Sequence, residues 1–180
     1  MNATEIFSQI KKFVDFNDDD AKTLASIAPW VAAHGPAITD IFYETIQTTP
    51  AVSSFVEGRV DHLKKTHIKW MTELVSGVYD DAYFQSRWKI GEVHVRIGLE
   101  PIWVDGTMSL IRSHALTSLA DNLEDKTMLA GATRSLIKAC DLDLAIINLA
   151  YAEDRLERLS SFTGMKRALI ENVIRLPKKD

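Results

Sequence analysis

The chain has 180 residues, of which 46% are hydrophobic and 26% are charged, a composition typical of one globular domain and unlike that of a disordered segment. Its formal net charge of −4 excludes a general electrostatic attraction to nucleic acid or to anionic membranes. The single cysteine, Cys140, excludes an internal disulfide and a cysteine-based zinc site, and an N-terminus without the apolar core of a signal peptide predicts a cytoplasmic protein.

Apolar residues recur at helical spacing almost throughout the chain, and no stretch shows the strict alternation of a half-buried strand. The sequence therefore predicts an all-α protein. Short polar side chains at helix starts, and glycine or proline at helix ends, indicate the boundaries. The predicted helices cover residues 4–14, a segment opening at Asn17 and Asp18, a segment restarting at Gly35-Pro36 and stopping before Pro50, residues 57–76, a segment from Asp80 or Asp81 to Gly98, residues 101–121 and residues 125–175.

The last predicted helix carries a narrow apolar seam whose residues step alternately by three and four. The seam consists of Ile137, Cys140, Leu144, Ile147 and Tyr151. It is typical either of one flank of an intramolecular bundle or of a surface that meets its copy in a second subunit. The apolar pattern then continues through Leu156, Leu159, Phe162, Leu169, Val173 and Leu176. Because that much exposed apolar surface is unfavourable, the continuation favours pairing.

The charge is unevenly distributed along the chain. Residues 155–180 contain seven Lys/Arg and three Asp/Glu, a net charge of +4, which leaves −8 for the remainder. A solvated basic helix end explains this tail. The longest charge-free apolar run near the C-terminus, residues 144–152, is too short to span a bilayer. We therefore expect neither a nucleic-acid partner nor a membrane partner.

His94 lies in the apolar run "IGEVHVRIGL", which spans residues 90–99. On a helix it shares a face with Ile90 and Ile97, and apolar neighbours favour the neutral imidazole that binds metals. On spacing alone, a histidine in such a place is more often a core residue than a ligand. It lacks a second His or Glu three or four residues away, as a zinc or di-iron helix would have. If it binds a metal, the pattern favours iron whose other ligands come from a porphyrin.

Three segments resemble the sensor-globin family, the haem domain of globin-coupled sensors, which is related to protoglobin. They are "PWVAAHGPAITDIFYETI", the stretch from "VDHLKKTHIKW" to "FQSRWK", and the most specific, "IGEVHVRIGLEPIW". The likeness covers residues 20–150. It implies a globin fold with an extra N-terminal helix and long C-terminal helices that form a dimer bundle. It also implies a haem domain in residues 1–155, a helical extension or signalling linker in residues 156–180, and haem b as cofactor with His94 as the iron ligand.

The same resemblance implies the residues on the distal side of the haem. "IFYETI" matches the segment with the family's distal tyrosine, here Tyr43, and Phe42 beside it would be pocket wall. A buried phenol needs a hydrogen-bond partner, which the bound gas would supply. Leu63 and Thr66 match distal-pocket positions, where Leu63 would limit water entry and Thr66 would offer a second, weaker hydroxyl.

On the proximal side, Ile90 and Ile97 would form the dry wall around the iron-binding histidine. Trp103 matches a family tryptophan near the start of the next helix. Many relatives follow that tryptophan with a tyrosine close to the proximal imidazole, whereas this chain has Val104. A signalling route through such a phenol is therefore in doubt for this chain, although the haem interpretation is unaffected.

Two further histidines, His62 and His67, lie on the helix that carries the distal-pocket positions. A haem bound by two histidines would need one of them at the distal ligand position. The resemblance places neither there, so we expect both at the surface or on the propionate side of the haem.

The resemblance implies a gas sensor that binds dioxygen reversibly at ferrous iron, with carbon monoxide and nitric oxide as competitors. It further implies a homodimer through the last two long helices, which passes the ligand state to a separate or C-terminally fused signalling effector. No output enzyme domain is recognisable, so we expect no enzyme activity. Two alternatives remain open: a haem enzyme with nitric oxide dioxygenase or peroxidase-like activity, and a haem-free globin-fold module that acts by protein contacts alone.

Overall fold

The computed structural model describes residues 3–177, and all regular secondary structure within that range is helical, as predicted. The helices are α1 (Ala3–Phe13), α2 (Asp18–Ser26), α3 (Ala28–Thr48), α4 (Pro50–Ser53), α5 (Val60–Leu74), α6 (Asp81–Arg96), α7 (Pro101–Asn122), α8 (Lys126–Thr163) and α9 (Arg167–Ile174). None of them, in the part of the chain that is described, is both long and apolar enough to cross a bilayer.

Polar side chains begin three of these helices. Asn17 accepts hydrogen bonds from the backbone N–H groups of the first turn of α2, and the Asp20 carboxylate accepts one from the Asn17 N–H in return. Asp80 caps α6 and Asp125 caps α8 in the same way. These contacts satisfy N–H groups that have no partner inside the helix, and they explain why α2 and α6 begin where the sequence predicts.

Helix α3 runs without a break through Gly35 and Pro36, so the predicted restart at that pair is wrong. Proline removes one backbone donor from the middle of a helix, which is unfavourable. However, Trp30 and Val31 before it and Ile38 after it are all buried on this helix. Burial of apolar surface on both sides of the proline favours one continuous helix over two separate ones.

The predicted single helix over residues 125–175 is also wrong, because the chain breaks between α8 and α9. Gly164 ends α8 with a left-handed backbone, φ 68°, and donates its N–H to the Ser160 carbonyl. Helix α9 then contacts α8 again: Arg167 forms an ion pair with Glu153, and Ile170 is buried. The glycine is the one residue type that adopts this conformation without steric cost.

Three of the five seam residues on the last long helix face the interior of this chain. Cys140, Ile147 and Tyr151 are each at most 3% exposed, and Ile147 and Tyr151 pack against Val104 of α7. These three residues therefore form one flank of an intramolecular bundle, whereas Leu144 is partly buried and Ile137 is 37% exposed. Pairing of the exposed part of the seam with a second copy stays a prediction. A narrow 3.5-residue period occurs in both arrangements, so the pattern alone could not separate them.

Helix α8 forms the centre of the fold, with α2, α6 and α7 packed on it, whereas α5 packs on α3. Helix α6 approaches α8 closely at Gly91, where a Cβ atom would lie 2.6 Å from the Cβ of Ala150 and 2.7 Å from the carbonyl oxygen of Ile147. Two of the helices that carry expected site residues, α5 and α6, therefore have different main packing partners.

A buried ion pair ties α6 to α8. Arg87, fully buried, donates from Nε to the Asp143 carboxylate at 2.9 Å, and it also pairs with Glu73 of α5. Asp143 further accepts from the Trp70 indole N–H at 2.8 Å and from the Tyr83 hydroxyl. Burial raises the pKa of Asp143, and Arg87 and the hydrogen bonds oppose that rise. This network joins three helices through side chains that the sequence did not single out as a group.

Candidate functional site

His94 lies in the last turn of α6, where its Nδ1 atom is buried and has no hydrogen-bond partner among the described residues. Burial lowers the pKa of His94 to about 4. The imidazole is therefore neutral at physiological pH, and a neutral imidazole is the form that binds a metal ion. These properties are those expected of the predicted iron ligand.

Tyr43 and Phe42 lie side by side in the main apolar core, with ring centroids 4.6 Å apart. Both side chains are less than 10% exposed. Burial raises the pKa of Tyr43 to about 12, so its phenol keeps its proton at neutral pH and remains a hydrogen-bond donor. A buried donor in apolar surroundings is what the predicted distal tyrosine requires.

His67 lies with these two aromatic residues and is half-buried, so the expectation that it sits at the surface is wrong. Its placement on the propionate side of a haem stays a prediction. Its ring stacks on Trp70 at 5.3 Å and lies 4.8 Å from the Phe42 ring. Its Nδ1 is 2.8 Å from the Thr39 hydroxyl, and its Nε2 is buried without a partner among the described residues. Burial lowers the pKa of His67 to about 4, so this imidazole is neutral as well. His62, by contrast, is exposed.

The structure brings some of the remaining predicted site residues to this core and leaves others outside. Leu63 and Ile90 pack against the core cluster that contains Phe42 and Tyr43. Thr66 is exposed and donates its hydroxyl to the Leu63 carbonyl at 2.8 Å. Ile97 is 37% exposed. The pocket roles of Thr66 and Ile97 therefore stay predictions, because both residues are exposed in this conformation.

On the proximal side, Trp103 is partly buried, and the neighbouring Val104 packs against Tyr151 of α8. The Tyr151 ring lies 6.3 Å from the His94 ring, and its hydroxyl donates to the Leu99 carbonyl at 2.9 Å. A phenol is thus present beside His94 although the position after Trp103 is a valine. This phenol lies on α8, whereas the family's tyrosine would lie on α7, at the position of Val104.

The donor chemistry of this region fits an iron porphyrin. Among the described residues, four buried side-chain polar atoms have no partner: Trp30 Nε1, His67 Nε2, His94 Nδ1 and Asn148 Oδ1. Two of them belong to neutral imidazoles, one on α5 and one on α6. Within the same residues there is no group of three His, Cys, Asp or Glu side chains that could hold a bare metal ion. Iron whose equatorial ligands come from a porphyrin needs only an axial nitrogen from such a neutral imidazole.

Sequence patterns did not identify His67 and Tyr151 as candidate site residues. His67 lies on the apolar stripe of α5 with Trp70, Met71 and Leu74, at spacings of three and four, and that stripe was the signal for its burial. Tyr151 was read only as part of a packing seam. No pattern within one helix predicts that its ring contacts a histidine 57 positions earlier in the chain.

The chain is similar to known proteins over most of its length. A model of the protoglobin family matches residues 4–157. The chain is also similar to the haem-based aerotactic transducer HemAT of Halobacterium salinarum, with 29% identity over 114 residues. That match takes in 62% of this chain and 23% of the transducer, so the chain spans less than two thirds of this curated relative's length.

Solved structures show the same fold. The globin domain of the Geobacter sulfurreducens globin-coupled sensor matches with a TM-score of 0.76 and 30% identity, over 80% of this chain and 96% of that domain. The ferric globin domain of E. coli DosC matches with a TM-score of 0.68 and 18% identity, over 80% of this chain and 98% of that domain, which shows the fold alone. The predicted globin fold is therefore confirmed.

Proposed function

The chain belongs to the protoglobin family, and from this premise we propose that it is a haem-based gas sensor in which His94 ligates the iron and Tyr43 donates a hydrogen bond to the gas. The observation that carries the proposal is the neutral imidazole of His94, whose buried Nδ1 has no partner within the described residues. When bound, ferrous haem b would supply the iron atom that takes up dioxygen, carbon monoxide or nitric oxide reversibly.

The distal residues would select and retain the gas. Tyr43 keeps its proton at neutral pH and can donate to the polar end of dioxygen, a hydrogen bond with a net value of about 1 kcal/mol. Phe42 and Leu63 would keep water away from the iron, because both belong to the same apolar core. His67 belongs to this distal group and brings a second neutral nitrogen to it. Carbon monoxide accepts hydrogen bonds weakly, so Tyr43 would favour dioxygen.

The output part of the proposal is a homodimer through α7 and α8 that passes the ligand state to a separate or fused signalling effector. Because most of the predicted seam packs inside one chain, the dimer would use the apolar side chains that these helices leave exposed. The large apolar side chains exposed there are Ile102, Ile137, Leu159 and Phe162. Residues 156–180 would act as the extension or linker in this scheme, although α8 passes residue 155 without a break. We place the protein in the cytoplasm.

The proposal is tested by gas-binding spectra of the haem-loaded protein. The wild-type protein should bind dioxygen and carbon monoxide reversibly, and Tyr43→Phe should release dioxygen roughly fivefold faster, which corresponds to the loss of about 1 kcal/mol. Thr66→Val is the matched control, because that hydroxyl donates to Leu63 within its own helix. Equal dioxygen release from wild-type and Tyr43→Phe proteins would contradict the distal assignment.

The two rival functions give different results in the same preparations. Rapid turnover of nitric oxide or peroxide with an electron donor would favour a haem enzyme. A stable folded protein that takes up no haem would favour the haem-free interaction module. The gas-sensor proposal predicts haem uptake, reversible gas binding and no such turnover.

A further inference from the structure

Tyr151 of α8 contacts the backbone just after the C-terminal end of α6. Its side chain is 2% exposed, and its hydroxyl donates to the Leu99 carbonyl at 2.9 Å. Leu99 in turn donates its backbone N–H to the His94 carbonyl at 3.0 Å. The Tyr151 ring lies 6.3 Å from the His94 imidazole, tilted by 40°. Phenol, backbone turn and imidazole therefore form one packed unit.

Within that unit, one hydrogen-bonding atom, His94 Nδ1, lacks a partner among the described residues. If His94 binds iron through Nε2, the proton of the neutral ring sits on Nδ1, which then becomes a donor. Nδ1 is buried and has no acceptor among the described residues, and a buried N–H without an acceptor is costly. The Tyr151 hydroxyl uses its proton for Leu99 but keeps acceptor capacity on its oxygen.

We propose that Tyr151 is the positioning residue of His94: its hydroxyl oxygen accepts the Nδ1–H of the iron-bound imidazole while its O–H still donates to the Leu99 carbonyl. This inference rests on the proposed function, since it concerns the state in which His94 ligates haem iron. Such a bond orients the imidazole and increases its basicity, which strengthens the bond to the metal.

The placement of Tyr151 also gives the bond a route to the rest of the molecule. Tyr151 belongs to α8, which continues to Thr163 and contacts α9. Any change in the position of His94 that accompanies gas binding would therefore act on α8 through a hydrogen bond as well as through packing. Gly91, by allowing α6 to approach α8 closely, brings the two helices within reach of this contact.

Asn148 offers the competing acceptor. It lies one turn before Tyr151 on α8, and its Oδ1 is buried without a partner among the described residues, while its Nδ2 donates to Asp105 at 3.1 Å. The two acceptors make different predictions for single substitutions, so both are included in the test.

The experiment is resonance Raman spectroscopy of the ferrous, gas-free, haem-loaded protein, in a His67→Leu background that leaves His94 as the only axial imidazole. Tyr151→Phe removes the hydroxyl and keeps the ring. Tyr79→Phe is the matched control, because Tyr79 is also a largely buried phenol that donates to a backbone carbonyl, that of Leu74 at 2.7 Å. Asn148→Ala tests the competing acceptor.

We expect Tyr151→Phe to lower the iron–histidine stretching frequency, raise the haem midpoint potential and weaken haem binding by roughly tenfold or more, while Tyr79→Phe changes none of these. An unchanged frequency in Tyr151→Phe, or a shift found only in Asn148→Ala, would overturn the inference and leave the proposed function intact. Failure of the parent protein to take up haem would overturn the proposed function, and the inference with it.

Discussion

The Nδ1 atom of His67 lies 2.8 Å from the Thr39 hydroxyl oxygen, and this contact leaves Nε2 as the ring nitrogen without a partner. Thr39 is fully buried, so the contact has no competing water. The contact at Nδ1 orients the ring, and Nε2 remains free to bind a ligand. Because burial also keeps it neutral, Nε2 can act as a ligand or as a hydrogen-bonding group next to Tyr43.

The first prediction concerns this nitrogen in the gas-free ferric protein. Because His94 and His67 are both neutral, and each has a ring nitrogen without a partner among the described residues, we expect a low-spin spectrum with two nitrogen ligands. His67→Leu should convert it to a high-spin spectrum and speed gas association, since no imidazole then has to leave. Thr39→Val removes the hydroxyl that orients the His67 ring but leaves the imidazole in place, so it should give a mixture of low-spin and high-spin spectra. Identical electron paramagnetic resonance spectra of the wild-type and His67→Leu proteins would show that His67 stays off the iron.

The second prediction concerns the close contact of α6 and α8 at Gly91. A methyl group there would lie 2.6 Å from the Ala150 Cβ, so Gly91→Ala should destabilise the protein by about 1–3 kcal/mol and loosen the haem, because α6 carries His94. Gly106→Ala in α7 meets nothing within 4 Å and should instead stabilise the protein by up to about 1 kcal/mol. Urea unfolding of both variants measures the difference. Equal effects would contradict the close packing.

The third prediction concerns the buried ion pair. Arg87→Met leaves the Asp143 carboxylate buried without its cation, and we expect a loss of about 3–5 kcal/mol in the free energy of unfolding. Arg158→Met removes an exposed pair with Asp154 on α8 and should change stability little, since solvent screens it. Denaturant titrations of the two variants provide the comparison. A small effect of Arg87→Met would mean that Asp143 does not carry a charge in the folded protein.

The fourth prediction is a pH dependence that comes from Asp20. The carboxylate accepts hydrogen bonds from Lys138 at 2.9 Å and Ser135 at 2.7 Å, and from the Asn17 backbone. Burial raises its pKa, but these partners together lower it below the ordinary value. A lowered folded-state pKa means that the stabilisation is complete above the unfolded pKa of about 4 and is lost as the pH falls through the folded value.

Asp20→Asn should therefore lower stability at pH 7, and the difference from the wild type should shrink as the pH falls below about 4. Ser135→Ala is a control that removes one neutral hydrogen bond without removing the carboxylate. Unfolding free energies measured at several pH values give the result. A difference between Asp20→Asn and wild type that stays constant down to pH 3 would show that the Asp20 pKa is not lowered.

The sequence predicted most of this molecule where local signals decide the structure. The caps at Asn17 and Asp80 and the apolar stripe of α5 were enough for the helices, and "IGEVHVRIGLEPIW" was enough for the family and for His94 as candidate ligand. The predicted helix start at Pro36 was wrong because burial of residues on both sides of the proline outweighs its tendency to break a helix. Gly164 was overlooked because the apolar pattern continues across it.

The features that the sequence did not predict depend on contacts between segments far apart in the chain. Whether the seam with Ile147 and Tyr151 faces its own core or a second subunit depends on where α6 and α7 lie, which the spacing within α8 does not contain. The burial of His67 depends on Phe42, 25 positions earlier, and on Thr39. Residue spacing predicts which residues share a face, and only tertiary packing decides what that face meets.

The most direct test of the central claim, that His94 holds the haem, is a haem titration followed by visible absorption. Wild-type protein should bind haem at a one-to-one ratio with a Soret band that shifts on reduction and again with each gas. His94→Gly should lose the haem or bind it weakly, and free imidazole should restore the wild-type spectrum by filling the place of the missing side chain. A wild-type protein that takes up no haem, or a His94→Gly protein with an unchanged spectrum, would contradict the account.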